Sequence, residues 1–199
     1  MEPTLNKWEN AQQDLVFADF VLSADLSINR QAVLSSCRNI QRSQGTLRSN
    51  VGGFQSPIAA ESDDPVIEEL QETVNEFSLK GVNELGWNFT KVRSAWWINV
   101  NTPLSYNVPH THGKIDLIGV YYVQVPENSG TFNILRNDGM TYTSLVANEN
   151  QQNPPFNSEW ESTPVEGRYY LFPGYVWHYV MQNQTVRDRI SISFNLEVA

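Results

Sequence analysis

The chain has 199 residues, 40% of them hydrophobic, and a formal net charge of −9, enough apolar material for one core of ordinary single-domain size. The acidic balance argues against nucleic acid as a partner, because phosphate binding rests on Lys and Arg. A lone Cys37 cannot make an internal disulfide and residues 1–10 carry acids without a long apolar run, so no oxidising compartment, signal peptide or membrane span is expected and a cytoplasmic setting is.

Over residues 24–42 the apolar positions Leu26, Val33, Leu34, Cys37 and Ile40 recur at helical spacing, which predicts an amphipathic helix. Residues 49–57 (Ser49-Asn50-Val51-Gly52-Gly53-Phe54-Gln55-Ser56-Pro57) are dense in turn formers and read as an irregular loop needing left-handed backbone at glycine. A second helix is expected over residues 63–84, where Asp64 is the cap, Pro65 suits the first turn, and Val66, Leu70, Val74 and Phe77 share a face that would pack on a sheet.

Beyond Phe89 the texture changes to short β-branched and aromatic runs separated by Pro, Gly and Asn. Strands are expected at 92–101, 117–125, 131–135, 168–172, 176–182 and 189–198, with a shorter one around 106–111. Residues 137–164 read as a long polar insertion loop. The whole, 1–199, reads as a single α+β domain: residues 1–88 are helical support, and 89–199 form a jelly-roll or cupin-like barrel.

Of the three histidines in the chain, two form His110-Thr111-His112. On a strand, positions i and i+2 face the same way, so the two imidazoles converge. His178 lies 66 positions further on (178 − 112 = 66), in another expected strand. Iron oxygenases commonly use two histidines and a carboxylate on one face of the metal, but the position two after His110 is a histidine. Three arrangements stay open: His110, His112 and His178 as ligands together; Asp116 bending back as the carboxylate, although an extended chain puts it roughly 13 Å from His112; or one histidine of the pair orienting a ligand instead of binding.

Eleven positions after His178 comes Arg189-Ile190-Ser191. Arg189 and Ser191 share a strand face, and a guanidinium beside a hydroxyl matches a carboxylate. The ordinary alternative is a solvent-facing Arg189 paired with Asp188 or Glu197. Asn99 and Asn101 alternate along the strand before the histidines and are candidates for the same pocket, as satisfied barrel asparagines would also be. Tyr121 and Tyr122 face opposite ways, and Tyr122 shares parity with His112. Trp96, Trp97 and Trp177 read as packing residues.

These motifs resemble a 2-oxoglutarate–Fe(II) oxygenase family of marine bacteria and their phages. The resemblance runs from about Ser49 to Val198. It rests on Ser49-Asn50-Val51-Gly52-Gly53-Phe54-Gln55-Ser56, Trp97-Ile98-Asn99-Val100-Asn101, Pro109-His110-Thr111-His112, Gly119-Val120-Tyr121-Tyr122-Val123, Leu171-Phe172-Pro173 and Arg189-Ile190-Ser191-Ile192-Ser193-Phe194-Asn195. The family usually has Pro-Gly-Ser after the second histidine and a serine at the place of Ile118; this chain has Gly113-Lys114-Ile115. The resemblance implies a double-stranded β-helix with Fe(II) held by the histidines, 2-oxoglutarate on the metal and its far carboxylate on Arg189 and Ser191. It also implies O2 as co-substrate and hydroxylation of an unidentified substrate with release of succinate and CO2. The rival readings are a three-histidine cupin-type dioxygenase that needs no oxoacid and a non-catalytic metal- or ligand-binding phage accessory module. A homo-oligomer stays open alongside these readings.

Overall fold

The computed structural model describes residues 19–136 and 158–199. In chain order it has β1 (Leu22–Asp25), α1 (Arg30–Ile40), β2 (Asn50–Val51), β3 (Phe54–Gln55), α2 (Pro65–Glu84), β4 (Val92–Asn101), β5 (Tyr106–His110), β6 (Leu117–Gln124), β7 (Phe132–Leu135), β8 (Glu159–Ser162), β9 (Arg168–Pro173), β10 (Trp177–Val180) and β11 (Arg189–Val198). The strands form a six-stranded sheet ordered β1-β9-β6-β11-β4-β3 and a five-stranded sheet ordered β2-β5-β10-β7-β8. All pairings named are antiparallel. This is the double-stranded β-helix in an α+β chain.

Strand alternation gives the larger sheet two apolar faces with different partners. Ile98 and Val100 of β4, Tyr121 and Val123 of β6, and Ile192, Phe194 and Leu196 of β11 are buried on the outside under both helices, against Val33, Cys37, Ile67, Leu70 and Val74. The intervening positions look into the barrel, where Ile118, Val120 and Tyr122 meet Phe132, Ile134, Tyr170 and Phe172. Gly119 on the outer face leaves room for Tyr169: a Cβ there would stand 2.1 Å from the tyrosine hydroxyl, which reaches Ser78 of α2 at 2.9 Å.

Helix α2 starts as expected, with the Asp64 carboxylate accepting from Val66 N–H and Pro65 in the first turn. Helix α1 is shorter than expected. Asn29 caps it by accepting from Ala32 N–H, and residues 22–25 are instead an edge strand paired with β9. Leu26 therefore lies outside the helix despite its helical spacing. The 49–57 loop contributes two short strands, one to each sheet, turning through Gly52 at φ 78. Of the expected insertion, residues 137–157 lie outside the described residues. Its end is not a loop, because β8 pairs with β7 along Glu159–Ser162. Among the described residues no helix is long and apolar enough to cross a membrane.

Candidate metal centre

His110 closes β5, and His178 on β10 is its direct cross-strand partner, with ring centroids 4.3 Å apart. His112 lies beyond the end of β5, off the strand on which it was expected. Other contacts hold it. Its N–H donates to the Gly174 carbonyl at 2.9 Å, and its Nδ1 is 2.7 Å from Asn195 Oδ1. Trp97 stacks on its ring, 5.6 Å between centroids and 26° between planes. Glycine is required at 174, since a Cβ would stand 2.0 Å from the Ile115 carbonyl oxygen.

One ring nitrogen of each histidine lies within 4.8 Å of the other two. The remaining nitrogens are committed: Nδ1 of His110 is 2.7 Å from Val108 O, and Nδ1 of His178 is 2.9 Å from Val176 O. A carbonyl oxygen only accepts, so each Nδ1 carries the proton and each Nε2 keeps its lone pair. Burial favours the neutral rings, lowering His112 to about 4 and His178 to about 3 and lowering His110 as well. The His112 Nε2 is buried without a hydrogen-bond partner. Three convergent, deprotonated nitrogens with an orphan among them could hold a divalent cation.

Asp116, the alternative carboxylate, does not join them. Gly113 does bend, with φ 62, yet Asp116 is exposed and its Oδ2 accepts from Val198 N–H at 3.0 Å.

Arg189 is 1% exposed and points inward. Its Nη1 donates to the carbonyls of Ser129, Gly130 and Met181, while Nη2 is buried without a partner. Asp188 is engaged by Arg38 instead. Burial brings the guanidinium pKa down to about 10, which leaves it charged at neutral pH. The strand register groups the other expected residues around it: Arg189 is opposite Asn101, and Ser191 lies between Asn99 and Tyr122. Burial raises the Tyr122 hydroxyl pKa, against the pull of Arg189. Asn99 donates to Ser193 Oγ at 3.1 Å and leaves its Oδ1 unpartnered, and Asn101 donates to Asn107 Oδ1 at 2.9 Å.

The three histidines, Arg189, Ser191, Asn99, Asn101 and Tyr122 all line one pocket. Sequence reasoning missed Trp97, Asn107, Phe132 and Ser193 in that lining and Asn195 behind His112. Strand parity carried two positions further, from Asn99 to Trp97 and from Ser191 to Ser193 and Asn195, would have found most of them.

Residues 95–195 match the protein family described as "Putative 2OG-Fe(II) oxygenase". No curated protein matches the sequence. Among solved structures, a prolyl-4-hydroxylase from Pseudomonas putida superposes with a TM-score of 0.63 at 12% identity, covering 89% of this chain and 91% of that one. HygX from Streptomyces hygroscopicus, solved with nickel and 2-oxoglutarate, gives 0.61 at 14% identity over 88% of this chain and 82% of its own. A prolyl hydroxylase from Trichoplax adhaerens gives 0.58 at 15% identity over 88% and 81%. At these identities the likeness is one of fold.

Proposed function

This chain belongs to the 2OG-Fe(II) oxygenase family, and from that premise we propose that it hydroxylates its substrate while converting 2-oxoglutarate to succinate and CO2. The carrying observation is that one pocket holds both three convergent imidazoles and a buried guanidinium with an unpartnered Nη2. In this reading His110, His112 and His178 hold Fe(II) through Nε2. The hydrogen bonds at Nδ1 fix each ring's tautomer and direction before the metal arrives, so little reorganisation accompanies loading.

When bound, the iron and the oxoacid supply O2 activation, with the oxoacid's decarboxylation coupled to oxygen transfer onto a C–H bond. The chain's own residues bind and orient. 2-Oxoglutarate brings carboxylate acceptors and no donor. Arg189 meets its far carboxylate with Nη2, and Ser191 adds a hydroxyl donor. Tyr122, kept protonated by burial, is a second donor, and Asn99 and Asn101 complete the polar wall. Ile118, Val120 and Phe132 line the same pocket and exclude water from it.

A cupin-type dioxygenase without an oxoacid would also suit three histidines, but it leaves Arg189 buried with no anion. Anaerobic titration with Fe(II) and 2-oxoglutarate, followed by the visible charge-transfer band of the chelate, tests the assignment. Arg189→Ala should lose about 2–5 kcal/mol of oxoacid binding, roughly 30-fold to several-thousand-fold, while Fe(II) binding survives. Arg189→Lys should recover only part, because an ammonium lacks the planar donor pair. Equal oxoacid affinity in all three proteins would overturn the assignment.

A further inference from the structure

His112 stands where a facial iron site of the common kind has a carboxylate, and the exchange removes one negative charge from the centre. The charge count follows from the residues. The three imidazoles are neutral ligands, Arg189 is a buried cation, and none of the described residues lining the pocket is Asp or Glu. A divalent cation and Arg189 together bring three positive charges, of which dianionic 2-oxoglutarate cancels two. One positive charge is left without a counter-charge beside a buried guanidinium, an arrangement that desolvation disfavours.

The pocket wall points the same way. Asn101 donates to Asn107 Oδ1 at 2.9 Å, and Asn107 in turn donates to Ser49 Oγ at 3.2 Å. Asn99 donates to Ser193 Oγ at 3.1 Å. Both routes end on a hydroxyl that accepts, leaving that hydroxyl's own proton to donate, and the two-step one from Asn101 through Asn107 to Ser49 polarises toward an acceptor at its end.

We propose that the loaded pocket takes one further monoanion beside 2-oxoglutarate, and that it is the carboxylate of the primary substrate, so that the substrate class is an organic acid. Ser49 and Ser193 both line the pocket, and two hydroxyl donors suit a planar two-oxygen acceptor better than a spherical halide. The proposal rests on the metal and oxoacid reading above.

The test uses the full-length protein, loaded anaerobically with Fe(II) and 2-oxoglutarate and followed by its visible band. Sodium acetate is added at ionic strength held constant with perchlorate, with acetamide and sodium chloride as parallel arms. Acetate should shift the band saturably and tighten Fe(II) retention against a chelator about tenfold, a usual size for coupling between sites. Acetamide should do neither and chloride should act more weakly. The acetate response should collapse in His112→Asp, which restores the missing charge, and weaken in Ser49→Ala. Absence of the band before any acetate is added overturns the oxoacid reading and this proposal with it. A band that acetate and acetamide leave equally unchanged overturns the proposal alone, and chloride matching acetate overturns the carboxylate assignment. Should His112→Asp fail to fold, the acetate and acetamide arms in the unaltered protein still decide.

Discussion

His112 and Asp116 show how much a single position decides. His112 presents a buried, unpartnered Nε2, whereas the Asp116 carboxylate is spent on Val198 N–H at 3.0 Å. His178→Ala should therefore abolish stoichiometric Fe(II) binding, since removing one of three ligands cripples a facial site, and Asp116→Ala should leave it intact. Metal analysis after anaerobic loading checks both, and iron lost from the Asp116 variant would make that residue the ligand. The histidines were legible as a group because the chain contains so few. What fixes them was not: the Asn195 and Gly174 contacts of His112 join residues far apart in sequence, and the spacing His-x-His carries no trace of them.

Among the elements, α2 and β4 announced themselves through local rules, a cap followed by Pro in one and a run mixing β-branched and aromatic residues in the other. Edge strand β1 did not. Its pairing with β9 is non-local, and Leu26 fell by chance on a helical period that Asn29 interrupts by capping α1. Strand β8 was hidden in the same way, since a run of alternating Glu, Trp, Glu and Ser looks like polar loop until β7 is placed beside it. The contact between α2 and the larger sheet is tight at Gly119, where an added Cβ would meet the Tyr169 hydroxyl at 2.1 Å. Gly119→Ala should cost about 1–3 kcal/mol through overpacking, read as a lower urea midpoint at unchanged slope. A midpoint equal to that of the unaltered protein would mean the tyrosine and α2 shift freely.

For the molecule as a whole, the buried histidines tie stability to pH. Their folded pKa values are depressed, so below the unfolded value of about 6.5 the unfolded chain binds more protons than the folded one, and stability rises with pH there. The metal-free protein should thus be fully stabilised by these groups above pH 6.5 and lose that stability as pH falls toward about 4 for His112 and about 3 for His178. By pH 5 the histidine cluster should have cost on the order of 2 kcal/mol, measurable by urea unfolding at pH 7 and 5, where a flat profile would contradict the neutral-ring assignment. The two sheets also differ in what supports them: the larger one is backed by helices, while β5 and β10 belong to the smaller one. His110 and His178 come from those strands, and His112 is moored to Asn195 of β11 in the larger sheet. A cation shared by all three would therefore act as a rivet across the barrel mouth, making the rigidity of the smaller sheet depend on the occupancy of the site it helps to build.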